Sequence, residues 1–196
     1  MTLKRKIALV DLRQQTITVE PISSDLREKF LGGRGLGIYL LWQHGTKTGD
    51  PLSADNTVVV NAGLLGGTLA ACDAYGSILT KSPLTGFYDF STLAGPFAAE
   101  MRWAGFDHIV ICGKSKKPVF LFISNGNIEI KDAGQIWGQS SNETRKKILQ
   151  QFKDRELKIC AIGPAGENLV RYATLNVDRY GDTGHTGAGP TLLEDF

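Results

Sequence analysis

Two short segments have the composition to hold a polyanion: Thr80-Lys-Ser-Pro-Leu-Thr-Gly86 and Ile162-Gly-Pro-Ala-Gly-Glu-Asn-Leu-Val170. Each is punctuated by Gly and Pro and follows a strand-like run, which brings backbone N–H groups and small hydroxyls close to a ligand. Three further stretches, Gly63–Gly76, Ser91–Gly95 and Gly181–Gly189, are rich in Gly, Ser, Thr or Ala. If the preceding strands lie side by side, these three loops converge at one end of a sheet. The result is a concave, amide-lined surface suited to phosphates and a flat heteroaromatic ring. The competing reading is that the glycines only serve tight turns, and composition leaves both open.

Other chemistries are poorly provided for. No nucleophile–base pair or paired carboxylates can be assembled from the sequence, so catalysis by this chain alone is not expected. No G-x-x-x-x-G-K-[ST] occurs, and Gly32-Gly-Arg-Gly-Leu-Gly37 follows a helical rather than a strand pattern. Cys112 and Cys160 lie in apolar, strand-like runs and read as buried thiols, whereas Cys72 sits in a loop and stays open as a site residue. Without a C-x-x-C the chain cannot supply four cluster ligands by itself. His108 reads as structural and His44 as solvent-facing; Trp103 and Trp137 read as core or interface residues. A net charge of +2 with mixed signs leaves no footprint for nucleic acid. No apolar run reaches the roughly 20 residues that span a bilayer, and no signal-peptide pattern opens the chain. A cytoplasmic protein with no membrane contact is expected. The basic run Lys4-Arg5-Lys6 reads as protection for a sheet edge.

The elements that must position these loops follow from periodicity. Alternation over 7–12 and 16–20 predicts a hairpin, and Ser24 a cap for a helix over Asp25–Leu31 that Gly32-Gly33 ends. A second helix is expected over Leu36–Gln43, strands over Thr57–Asn61 and Ser77–Thr80, and a helix over Pro96–Ala104. His108–Cys112 reads as a strand, and Asn125-Gly126 marks a hairpin between Val119–Ile123 and Ile128–Lys131. A helix over Asn142–Phe152 and strands over Lys158–Ile162 and Leu169–Val177 complete the chain. Glu167-Asn168 reads as a structural turn pair. Hairpins mixed with scattered helices predict an α+β fold: an antiparallel, two-sheet, sandwich-like core with flanking helices.

The order of the motifs adds more than any one of them. Leu31-Gly-Gly-Arg-Gly-Leu-Gly-Ile-Tyr-Leu-Leu41, Asp50-Pro-Leu-Ser53, Ala62-Gly63 with Gly67-Thr68, and Lys81-Ser-Pro-Leu-Thr-Gly86 come first. Ala104-Gly-Phe-Asp107, Lys117-Pro-Val119, Ile136-Trp-Gly138 and Ile162–Val170 follow. Together they resemble the N-terminal domain of the tungsten-containing aldehyde ferredoxin oxidoreductase family. The resemblance implies a domain over 1–189 with a divergent tail at 190–196. It implies a base for a tungsten- or molybdenum-bis(molybdopterin) with a bridging magnesium ion. A [4Fe–4S] cluster is then expected on further domains or a complementary cluster-binding subunit, in a homo- or hetero-oligomer that passes electrons from aldehyde oxidation to ferredoxin. The alternatives are a stand-alone pterin-binding or cofactor-handling module, and a degenerate relative without cofactor.

The resemblance also implies site residues. A first pterin-contacting loop maps to Tyr75, Gly76 and Ser77, with Tyr75 where the family usually has arginine. A second maps to Thr92, Ala94 and Gly95, in which the backbone oxygen of Thr92 stands in the magnesium-binding place. A third maps to Asp182, Gly184 and His185, with His185 replacing an arginine and Asp182 near the phosphates and their cation. These replacements remove fixed positive charge that would face phosphate.

Overall fold

The computed structural model of the chain describes residues 5–45, 49–71 and 73–184. In chain order the first elements are β1 (Lys6–Asp11), β2 (Thr16–Pro21), α1 (Ser24–Phe30), α2 (Gly33–His44), β3 (Val58–Ala62), β4 (Tyr75–Lys81), β5 (Tyr88–Ala94) and α3 (Phe97–Trp103). Then come β6 (His108–Cys112), β7 (Val119–Ser124), β8 (Asn127–Asp132), α4 (Ser141–Phe152), β9 (Cys160–Ala161), α5 (Pro164–Glu167), β10 (Asn176–Val177) and β11 (Gly181–Asp182). The class is α+β.

Six strands form the main sheet in the order β2-β1-β6-β3-β4-β5. Its ladders are antiparallel except β1–β6, which is parallel with Ile7 opposite His108. β1 is therefore an interior strand, and Arg5 does not guard an edge. Its guanidinium pairs with Asp107 at 3.4 Å and donates to the Leu31 carbonyl at 2.7 Å, tying the start of the sheet to the end of α1.

Each face of the sheet is covered. On one, Leu36, Leu40 and Leu41 of α2 recur at helical spacing and pack on Ile7, Val59, Leu79 and Val110. On the other, Ala98 and Met101 of α3 join Ala8, Val10 and Ile109, with the β7–β8 hairpin packed alongside. Leu175 and Val177 bring the small β11-β10-β9 sheet against Val58, Ile78 and Leu93. The second sheet layer is thus a hairpin plus three very short strands.

Local signals explain most boundaries. Ser23, one residue before the expected Ser24, caps α1 by accepting from the Leu26 N–H. Ser140 and Glu143 form a reciprocal capping box on α4. Asn125 and Gly126 both take positive φ, as a two-residue hairpin turn demands. Two sequence expectations fail. Residues 91–95 are not a loop, because β5 runs to Ala94, and the expected strand over Leu169–Val177 shrinks to Asn176–Val177. Leu169 adopts φ 55°, which no strand accommodates.

Candidate functional site

β5 is the edge strand of the main sheet, and its register decides what that edge presents. The Ser82 N–H donates to the Phe87 carbonyl at 2.8 Å, and the β4–β5 ladder continues without a break from Lys81–Tyr88 to Tyr75–Ala94. Hydrogen-bonded and non-bonded pairs alternate in such a ladder. Thr80–Asp89, Ile78–Ser91 and Gly76–Leu93 are therefore the bonded pairs. The backbone N–H and C=O groups of Phe90, Thr92 and Ala94 point away from β4 along the edge, where the Phe90 N–H donates to Asp89 Oδ1 at 2.7 Å. Among the described residues no strand pairs with them.

The same register puts the side chains of Tyr75, Ser77, Phe90, Thr92 and Ala94 on the face that carries α2. Tyr75 is 50% exposed and Phe90 41%, and along this face they flank Thr92 on either side. Arg34, in the first turn of α2, lies over the Phe90 ring at 4.4 Å, a cation–π contact that parks a guanidinium on this surface. Ser77 is buried and donates to Asn61 Oδ1 at 3.0 Å, so its hydroxyl serves the sheet.

The third segment reaches the same strand from the other side. Ser91 Oγ donates to the Gly184 carbonyl at 3.0 Å, and Leu175 and Thr183 exchange hydrogen bonds that fix the chain just before it. Tyr180 lies against Gly95, which has φ 92°; a Cβ there would sit 2.7 Å from the Tyr180 ring. Gly76 is also a packing residue, since a Cβ on it would meet Ala98 Cβ and the Asn61 carbonyl at 2.5 Å. Asp182 is exposed, and its carboxylate accepts from Asn176 Nδ2 at 3.1 Å. Among the described residues no three His, Cys, Asp or Glu side chains come together.

Of the residues picked from sequence, Tyr75, Gly76, Ser77, Thr92, Ala94 and Gly95 meet at one end of the β4–β5 pair, and Gly184 joins them through Ser91. Asp182 ends β11, one residue before Thr183 and two before Gly184. His185 and Cys72 lie outside the described residues, as do the chain beyond Gly184 and the proposed boundary at 189. The two segments that first suggested a polyanion site are elsewhere and self-contained. In Ser82–Gly86, Ser82 Oγ accepts from the Leu84 and Thr85 N–H groups, and Gly86 N–H returns to the Ser82 carbonyl. In 162–170 the amides of Gly166 through Val170 all donate within the segment, winding it into α5. Their donors are already used. Arg34 is the residue the sequence reading passed over; its signal was the basic residue inside the set-aside Gly-Gly-Arg-Gly run.

Buried polar groups support the rim. Arg102 donates to the carbonyls of Leu64 and Gly66 at 2.6 and 2.8 Å and lies 3.5 Å from Asp107, holding the loop that leads into β4. His108 is fully buried beside Asn61 on the next strand, and neither ring nitrogen has a partner among the described residues. Burial, with help from the nearby Arg5 charge, pushes its pKa down to about 3. Burial also raises the Cys112 thiol, and pushes that of Cys160 up to about 12, so both are inert rather than reactive. No helix among the described residues is long and apolar enough to cross a membrane.

Comparison with known proteins places the chain among a recognisable set. A family model described as aldehyde ferredoxin oxidoreductase, N-terminal domain, matches residues 7–193. A tungsten-containing aldehyde ferredoxin oxidoreductase of Pyrococcus furiosus is 43% identical over 183 residues, covering 93% of this chain and 30% of that protein. The WOR-like subunit of an aliphatic sulfonate oxidoreductase from the same organism is 34% identical, over 95% of this chain and 32% of its own length. Among solved structures, the active-site complex BamBC of benzoyl coenzyme A reductase with 1,5-dienoyl-CoA superposes with a TM-score of 0.90. It is 33% identical, over 95% of this chain and 28% of that one. The chain thus spans under a third of the length of these relatives.

Proposed function

The chain belongs to the aldehyde ferredoxin oxidoreductase family, whose N-terminal domain it matches, and from that premise we propose that it forms the base on which a tungsten- or molybdenum-bearing pterin cofactor rests. The observation that carries this reading is the free β5 edge. There the outward backbone groups of Thr92 and Ala94 stand beside the open rings of Tyr75 and Phe90 and the Arg34 guanidinium.

The residues present fit such a group. A phenol face and a phenyl face suit a flat heterocycle, and unpaired edge amides and carbonyls suit its donors and acceptors. Arg34 supplies a planar, permanently charged fork for phosphate, restoring charge that the Tyr75 and His185 replacements take away. The Thr92 carbonyl is an oxygen ligand of the hard type that magnesium prefers, and the Asp182 carboxylate of the third segment is a second candidate of the same type. When bound, the cofactor supplies two-electron redox chemistry at the metal. The chain's own residues bind it, orient its rings and offset its phosphate charge.

Names of the relatives point the same way. One acts on aldehydes, one on aliphatic sulfonates, and one structure contains a dienoyl-CoA, yet each includes a region similar to this domain. A region shared by proteins with such different substrates fits a role in holding a common cofactor better than one in choosing the substrate. A [4Fe–4S]-binding remainder or partner chain, ferredoxin as acceptor and an oligomeric assembly complete the proposal. Trp42, Leu64, Leu65, Leu69, Phe87 and Trp103 are exposed apolar side chains that such neighbours would cover.

Metal analysis of the purified protein, with pterin fluorescence after acid oxidation, tests the reading. Tungsten or molybdenum together with pterin is the expected result. Pterin without metal would move the role to cofactor handling, and the absence of both metal and pterin would overturn the proposal.

A further inference from the structure

The other face of the main sheet holds a space that the cofactor rim does not touch. A cavity of about 560 Å³ lies between that face, the β7–β8 hairpin, α4 and β9. Protein interiors seldom contain voids much larger than a water molecule, whereas small-molecule sites run from about 300 to 1,000 Å³. Val60, Ile109 and Ile111 form its floor, and Leu121, Ile123 and Ile148 lie in its remaining walls.

Its two ends differ. β3 and β6 are antiparallel, with Val58 opposite Ile111, so the turn before β3 and the segment after β6 lie together. There the lining contains Ser53, Lys114 and Lys117, just before β7 begins. Ser53 Oγ is buried and has no partner among the described residues. Among the described residues Lys117 pairs with Asp132, at 3.5 Å on an exposed surface, an interaction weak enough to be exchanged. At the far end of β7 the lining is Asn125 at the hairpin tip with Trp103 and Glu100 of α3. β7 is six residues long, so the two ends are about 20 Å apart. One end carries two lysines and a spare hydroxyl; the floor and the β7 wall are apolar; Lys158, also in the lining, is engaged by Glu156; the single carboxylate of α3 stands at the opposite end. Glu167 also borders the space, with both carboxylate oxygens engaged by the Gly138 N–H.

We propose that this interlayer cavity is a binding site for a linear aliphatic carboxylate, its head group at Ser53, Lys114 and Lys117 and its chain along β7. The site is independent of the cofactor rim. Isothermal titration of the whole chain with dodecanoate, below its micellar concentration, tests it. One dodecanoate per chain is expected, with dodecanol about tenfold weaker. The double substitution Lys114→Ala and Lys117→Ala should weaken dodecanoate about tenfold and leave dodecanol unchanged. Val60→Phe should abolish both by filling the floor. Should Val60→Phe fail to fold by circular dichroism, the lysine pair on the surface still decides. Absence of saturable binding, or a double variant that holds dodecanoate as tightly as the parent, would overturn the proposal.

Discussion

His108 gives the sharpest test of the fold's electrostatics. It is fully buried, its nitrogens lack partners among the described residues, and its pKa falls from 6.5 to about 3. A base with a depressed native pKa stays neutral in the fold while the unfolded chain takes up a proton. Its neutral form is therefore tolerated above pH 6.5, and stability is lost as pH falls from about 6.5 towards 3. Each unit is worth about 1.4 kcal/mol, so the full span amounts to about 5 kcal/mol and the loss at pH 4 to about 3 kcal/mol. Other groups of the chain also change protonation over this range, so the contrast with His108→Leu is the quantity to read. At pH 7.5 the variant should equal the parent or exceed it by about 1 kcal/mol, because unpaired buried nitrogens are removed. At pH 4 it should exceed the parent by about 3 to 4 kcal/mol in urea unfolding followed by circular dichroism. A parent–variant difference that stays constant between the two pH values would refute the reasoning.

Other expectations follow from single contacts. Gly95→Ala should lower stability by about 2 kcal/mol or more, from its positive φ and the clash with Tyr180, and Tyr180→Ala in the same chain should recover part of the loss in a double-mutant cycle. Arg145 forms a buried ion pair with Asp178, so Arg145→Met should cost about 3 kcal/mol in chemical unfolding by stranding the carboxylate. Ser140→Ala removes the capping box of α4 and should cost about 1 kcal/mol by the same assay. At pH 8 the Cys160 thiol, held near 12, should resist iodoacetamide in the native chain and react on unfolding, as mass spectrometry would show.

The fold was legible where patterning and local chemistry agree. Val58-Val59-Val60, the Asn125-Gly126 turn and the helical spacing of Leu36, Leu40 and Leu41 each specify their element alone. β5 was read partly as a loop because its inward face carries Ser91 beside Leu93, which breaks the apolar alternation, and because Gly95 follows at once. The strands expected over Lys158–Ile162 and Leu169–Val177 shrink to the two-residue β9 and β10, because periodicity marks an apolar run but not how much of it finds a partner strand. The two Gly/Pro segments misled because their amides fold back on the Ser82 hydroxyl and on their own carbonyls, a choice invisible in composition. The site residues Tyr75, Thr92, Ala94 and Gly95 came from the family resemblance, and strand register is what sets them together. Arg34 was missed because its position depends on how α2 packs across the sheet. Arg102 and Asp107, which brace the entering loop, are joined only by tertiary contact and leave no local signature.

Amide hydrogen exchange, compared between protein from cells grown with tungstate and molybdate and protein from cells deprived of both, addresses the cofactor rim most directly. Slower exchange at Thr92 and Ala94 in the metal-grown protein is expected, with Ser82–Gly86 and Gly166–Val170 unchanged. Equal exchange along β5 in both preparations, or protection confined to those two self-bonded segments, would contradict it.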